Sequence, residues 1–145
     1  MLQTGKLGID VRGFPLSRRA GFSRKGLAAR LAVDSIGYTY FRPLGSQRDA
    51  RKRFQADRDW PAFATAVNDR LTTPAAVEAL ERLAELISGE RRCLLCTCPE
   101  PDRCHRALVA DELGKLKPDE VIRLRLLKLA RSSKTRRALT RVSNR

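Results

Sequence analysis

The segment Arg91–Leu113, RRCLLCTCPEPDRCHRALVADEL, changes periodicity partway along. RRCLLCTC has the compact apolar character of a buried strand, with Pro99 and Pro101 punctuating the loop that follows. From Cys104 the pattern becomes helical, with Leu108, Val109 and Leu113 on the inward side. A strand that passes through a short loop into a helix is the repeating unit of a parallel α/β sheet. Ligands gather at the carboxyl ends of the strands in such sheets. This junction sits at one of those ends, and it holds all four cysteines and the single histidine of the chain.

The flanking sequence repeats the alternation. KLGIDVRG (residues 6–13) has the marks of a short strand, and Pro15 and Gly21 of a loop. Ser23 is placed to cap a helix carrying Leu27, Ala28 and Leu31 at helical spacing, with Gly37 as its stop. YTYFRPLG (38–45) supplies a second strand. The next stretch is charged in its first half and then sets Trp60, Phe63 and Val67 on one helical face. Thr73 and Pro74 open another helix, whose stripe of Val77, Leu80, Leu83, Leu86 and Ile87 ends near Gly89. After Pro118, Ile122, Leu124 and Leu126 alternate with Arg123 and Arg125 as in an edge strand. The expected fold is one three-layer α/β domain over residues 1–122, with a short, mostly parallel sheet of about four strands. A basic C-terminal extension, 123–145, follows it.

At 145 residues, the chain is long enough to bury a core without staples. Its four cysteines crowd into positions 93–104, where most disulfide pairings would close short, strained loops, so free thiols or thiolate ligands are expected. No stretch approaches the roughly 18 apolar residues of a membrane span, and MLQTGKLGID lacks a secretory pattern. A soluble protein of a reducing, cytoplasmic compartment is expected, with no membrane partner. The formal charge of +14 is uneven: residues 123–145 hold nine Lys or Arg and no acid, leaving +5 for residues 1–122. Such a block suits condensation onto nucleic-acid phosphates or simple solvation of a tail.

Three chemistries fit the cysteine-rich junction. Cys96, Cys98 and Cys104, with or without His105, form a sulfur-rich set for zinc. Against this, consecutive helical side chains diverge by about 100°, which would part Cys104 from His105. Alternatively, Cys104 or Cys98 is a nucleophile, His105 its base, and Arg106 or Arg103 the grip on an anionic substrate. In the third, the sulfurs are small apolar groups, with Cys93 filling core. A phosphatase-like loop is excluded, because it would place an arginine six positions after its cysteine and Cys104 stands six after Cys98.

A second constellation, DVRGFPLSRR (10–19), puts Asp10 and Arg12 on one face at a strand end, with Ser17, Arg18 and Arg19 beyond them and Arg42 after the next strand. They suit an anion-binding rim, or an Asp–Arg ion pair that organises the loop. The leading functional expectation is a domain recognising phosphate groups of nucleic acid or nucleotides. Asp10, Cys104 and His105 are its chemical groups, and Arg12, Arg18, Arg42 and Arg106 bind the ligand. An enzyme with a Cys104 nucleophile and a zinc-stabilised interaction module stand beside it.

Together, DVRGFPLSRR, YTYFRPLG and LLCTCPEPDRCHRALVADEL resemble the bacterial and archaeal family known as domain of unknown function 488. The resemblance rests on Asp10, Arg12, Pro15, Leu44, Gly45, Cys96, Cys104, His105 and Arg106, and it implies no activity. Two departures stand out. Cys98 occupies a position where the family usually has Glu, exchanging an acid for a thiol. The family's usual first strand and helix, with a Gly-His-Ser motif, are also missing, which leaves a sheet edge to be covered by the C-terminal segment or by a partner copy in a homodimer.

Overall fold

The computed structural model describes residues 6–87 and 92–118. Three short strands, β1 (Leu7–Asp10), β2 (Gly37–Tyr40) and β3 (Arg92–Leu95), form one sheet in the order β2-β1-β3. Both pairings are parallel, with Gly8 opposite Tyr38 and Cys93, and Asp10 opposite Tyr40 and Leu95. Three strands stand where about four were expected; the segment predicted as the fourth, around Ile122–Leu126, and the basic extension lie outside the described residues. Among the described residues, five helices, α1 (Arg24–Val33), α2 (Arg48–Asp57), α3 (Trp60–Leu71), α4 (Pro74–Leu86) and α5 (His105–Leu116), and two short 3-10 turns, Arg42–Leu44 and Pro101–Arg103, join the sheet in a single α/β domain. No helix among the described residues is long and apolar enough to cross a membrane.

Alternation along β1 divides its side chains between two environments. Ile9 and Val11, both fully buried, join Phe63, Val67 and Leu71 of α3, Leu80 and Leu83 of α4, and Val109 and Leu113 of α5 in the main core. Gly8 points the other way, where Leu31 of α1 passes so close that an added Cβ would lie 3.0 Å from its Cδ1. The large core therefore lies on one side of the sheet. On the other, α1 buries none of its residues fully.

Several local expectations are corrected. Ser23 precedes α1 in extended conformation, but its side chain does not cap it; the hydroxyl pairs with Ser17, accepting from Ser17 N and donating to Ser17 O. The left-handed residue after α1 is Ser35, with φ 56°, and Gly37 begins β2 instead. The stretch after Gly45 folds as two helices because Arg58 turns left-handed at φ 57° and Asp59 then caps α3, accepting from Ala62 N at 3.0 Å. Phe54 of α2 stacks on Phe63 of α3 with ring centroids 4.8 Å apart, which holds the two helices together.

In α4, the buried residues are Ala76, Ala79, Leu80 and Leu83, whereas Val77 and Leu86 are about 40% exposed. Small alanines let the helix sit close to its neighbours, so the inward face is rotated from the bulky stripe. Replacing Val77 with Gln is therefore expected to change unfolding free energy by less than about 0.5 kcal/mol in urea titration. Cys93 was expected to fill core and is exposed: among the described residues, β3 lies at the edge of the sheet.

Candidate functional site

The sulfur cluster assembles because β1 and β3 end side by side. Leaving the sheet, Val11 N donates to Leu95 O at 3.3 Å, which fixes the next carbonyl. Val11 O lies 2.6 Å from His105 Nε2 at the first turn of α5. A carbonyl can only accept, so the ring proton belongs on Nε2. Nδ1 then faces the sulfurs, 3.8 Å from Cys96 Sγ and 3.7 Å from Cys104 Sγ.

Cys104 reaches this position because it stands before the helix rather than in it. At φ −134° and ψ 148° its backbone is extended, and the first helical residue is His105. The divergence expected of two consecutive helical side chains does not apply, and sulfur and imidazole face the same point. Strand β3 has already ended at Leu95, so Cys96 and Cys98 leave the sheet's alternation and approach Cys104 along the loop. Cys98 Sγ sits 3.6 Å from Glu100 O and 3.7 Å from Arg103 O. Arg106, one residue into α5, closes the cluster: Nε donates to Cys104 Sγ at 3.3 Å and Nη2 to Cys98 O at 2.8 Å.

The three thiols share protons as one system. Cys104 is the common donor and is held strongly protonated by its bonds to Cys96 and Cys98, with burial adding to the effect. That donation pulls Cys96 down to about 3 against the opposing effect of burial, with His105 helping. Cys98 falls to about 6, again chiefly through Cys104. Both shifts favour the thiolate form beside the Arg106 guanidinium. Burial works to lower the arginine's own pKa, and the neighbouring sulfurs outweigh it.

Cys96, Cys104 and His105 bring their ligand atoms within 4.8 Å of one another. In a tetrahedral zinc site, bond lengths of 2.0–2.3 Å imply an S···N edge of about 3.6 Å, close to the separations from Nδ1. His105 completes this trio where a third cysteine was expected, and Cys98 lies beside Cys104. Cys104 is 2% and His105 4% exposed, while Cys96 and Cys98 are partly open.

Asp10 and Arg12 occupy themselves. Arg12 Nε donates to both carboxylate oxygens at 2.9 and 3.1 Å, Nη2 to Oδ2 at 2.6 Å, and Arg12 N to Oδ1 at 3.0 Å. The remaining guanidinium nitrogen, Nη1, holds Phe22 O at 2.6 Å, and Tyr38 donates its hydroxyl to Oδ2 at 2.5 Å. Both charged side chains are sealed, at 0% and 4% exposure. Burial works to raise the Asp10 pKa, but the bonds from Arg12 and Tyr38 outweigh it and hold the carboxylate below its ordinary value. Tyr38 is pushed up to about 12, first by burial and then by the Asp10 charge it faces. Arg18 and Arg42 are exposed in the segments following β1 and β2. Among the described contacts, the ion pair and the sulfur cluster are joined only through the backbone around Val11.

Tyr38 had not been singled out, nor had the Val11 carbonyl. Strand register sets Tyr38 opposite Gly8, on the face of the sheet that Asp10 shares. Gly13 and Gly45 were also missed as a pair. A Cβ on Gly45 would lie 2.5 Å from Gly13 N and 2.9 Å from Arg12 C, so the chain crosses itself backbone to backbone behind the ion pair.

Fold and site together define a parallel α/β domain with a cysteine–histidine cluster where β1 and β3 end side by side. The chain belongs to the family described as Domain of unknown function DUF488, whose profile matches residues 3–113. No curated protein and no solved structure matches it.

Proposed function

We propose that this domain binds a thiophilic divalent cation, zinc before others, through Cys96 Sγ, Cys104 Sγ and His105 Nδ1, with Cys98 or solvent as the fourth ligand. The observation that carries the reading is the bond from His105 Nε2–H to Val11 O. Metal-bound histidines commonly donate their second ring nitrogen in this way, which fixes the tautomer and aims the lone pair. Arg106 would offset the excess negative charge of a thiolate-rich shell, since it already donates to Cys104. Zinc would supply structural cross-linking of the β3–α5 loop and, at an open fourth position, Lewis acidity.

The reading of Cys104 as a nucleophile gains less support, because its sulfur is sealed from any substrate. The phosphate-recognising rim expected around Asp10 and Arg12 loses support too, since every guanidinium nitrogen of Arg12 is already bonded within the fold and the side chain is sealed from solvent. The metal reading is tested by elemental analysis of purified protein and by titration of the apo form with Co²⁺, which reports thiolate coordination in its absorption spectrum. About one equivalent is expected, with affinity lowered at least about 100-fold in Cys104→Ser and in His105→Ala. Chelation is expected to lower Tm. A wild-type chain that takes up no thiolate-coordinated cobalt would overturn the proposal.

A further inference from the structure

The charge of the folded part is segregated along the chain. Residues 13–54 contain ten Lys or Arg against two acids, whereas residues 55–118 contain nine against eleven. Eight of those ten cations are arginines. Four of them lie over aromatic rings: Arg19 over Phe22 and Arg24 over Tyr40, each at 4.7 Å, and Arg48 and Arg51 over Phe14 at 5.9 and 5.7 Å. None of the four forms an ion pair among the described residues.

These stacks are neighbours in space. Phe14 and Phe22 begin and end the loop after β1, each about 40% exposed. The loop's start lies under the arginines of α2, and its end runs into α1, where Arg24 reaches across to β2. The Tyr40 hydroxyl lies 3.5 Å from Gly13 O and ties the strand to the loop. Beside the Arg24–Tyr40 stack is an open cavity of about 350 Å³ lined by Arg24, Lys25, Ala28, Tyr38, Thr39 and Tyr40. A second, of about 210 Å³, shares Thr39 and Tyr40 with it, so the two meet along the outer edge of β2.

We propose that this surface binds single-stranded nucleic acid, with phosphates on the arginines and unstacked bases in the cleft beside Tyr40. A guanidinium held over a ring within about 6 Å is fixed in place by the ring and still has N–H donors to grip phosphate. Aromatic rings interleaved with cations along a groove are the usual platform for single strands. Partly exposed rings beside the cations offer faces to unstacked bases, which favours a single strand over a duplex. An anionic membrane is the weaker match: Phe14 and Phe22 have guanidinium groups over their rings, and inserting them into hydrocarbon would desolvate those charges. The inference is independent of the metal reading and of the basic segment 123–145.

The test is fluorescence anisotropy with the full-length protein and a labelled oligouridylate of about 15 nucleotides, between about 50 and 200 mM salt. The variant Arg24→Gln/Arg48→Gln/Arg51→Gln is expected to bind at least about 30-fold more weakly, with the salt slope reduced by about two. The matching triple lysine variant keeps the charge and is expected to retain the slope while losing several-fold in affinity, which separates stacking from net charge. Thermal unfolding at the wild-type temperature shows that each variant is folded; should the triple variant fail this, Arg24→Gln alone is expected to weaken binding about fivefold. Wild-type affinity and slope in the glutamine variants would assign binding to residues 123–145 and overturn the proposal. Equal or tighter binding to duplex of the same length, or to vesicles containing phosphatidylserine, would overturn it as well.

Discussion

Arg12→Leu is expected to lose about 3–5 kcal/mol of stability at neutral pH, read from urea denaturation, a large share of what a domain of this size has. The cost comes from what remains behind. Asp10 is fully buried, and without the guanidinium it keeps only Tyr38 and one backbone N–H as donors. A second change, Asp10→Asn, removes the stranded charge while leaving an acceptor for both, so the double variant is expected to recover most of the loss. An Arg12→Leu protein as stable as wild type would mean that the pair contributes nothing to the fold.

The same pair predicts how the loss varies with acidity. In the wild type, Asp10 is held below its ordinary pKa, so its stabilising effect is complete above about pH 4 and fades as pH falls through the lower folded value. In Arg12→Leu, burial dominates and pushes the carboxyl upward, so the variant gains relative to the wild type as Asp10 takes up a proton. The difference between the two proteins should therefore shrink on acidification from pH 7 toward pH 4. A difference that grew over that range would contradict the assignment.

Gly45→Ala is the second large effect. Gly45 has φ −78°, which any residue adopts, so backbone conformation is not the obstacle. The obstacle is contact: the new methyl would press on backbone atoms of Arg12 and Gly13, which cannot rotate away. A loss of about 3 kcal/mol or more is expected. Gly114, inside α5 with nothing within 4 Å of an added Cβ, is the control. Gly114→Ala should stabilise by about 0.5–1 kcal/mol, because a helical glycine has more freedom to lose on folding. Both are measurable in one series of thermal melts, and similar shifts for the two would remove the steric argument.

What the sequence disclosed follows the range of each interaction. The three strands and the Pro74 helix start were visible because alternation, proline and glycine act within a few residues. The Asp10–Arg12 pairing was visible as one of two options, since residues two apart on an extended chain share a face. The rotated face of α4 was hidden: Ala76 and Ala79 pack inward because of what lies opposite them, and propensity favours Val77 and Leu86 as core. Cys93 was misplaced because RRCLLCTC contains no sign that its strand lies at an edge. In the sulfur cluster, the residues were legible and the geometry was not. Treating Cys104 as helical turned it from His105, whereas its extended backbone brings them together. The Gly13–Gly45 crossing and the bond from His105 to Val11 join positions far apart in sequence, and only folding reveals such pairs.

The strand order also constrains how the molecule comes into being. Among the described residues, β1 is both the earliest strand and the middle one of the sheet, and its second neighbour pairs residue 7 with residue 92. A nascent chain leaving the ribosome would present Ile9 and Val11 for several seconds before β3 exists to flank them. The loop to be closed is long, so sheet completion is expected to be slow and late. During that interval the first strand would be a natural client for a chaperone.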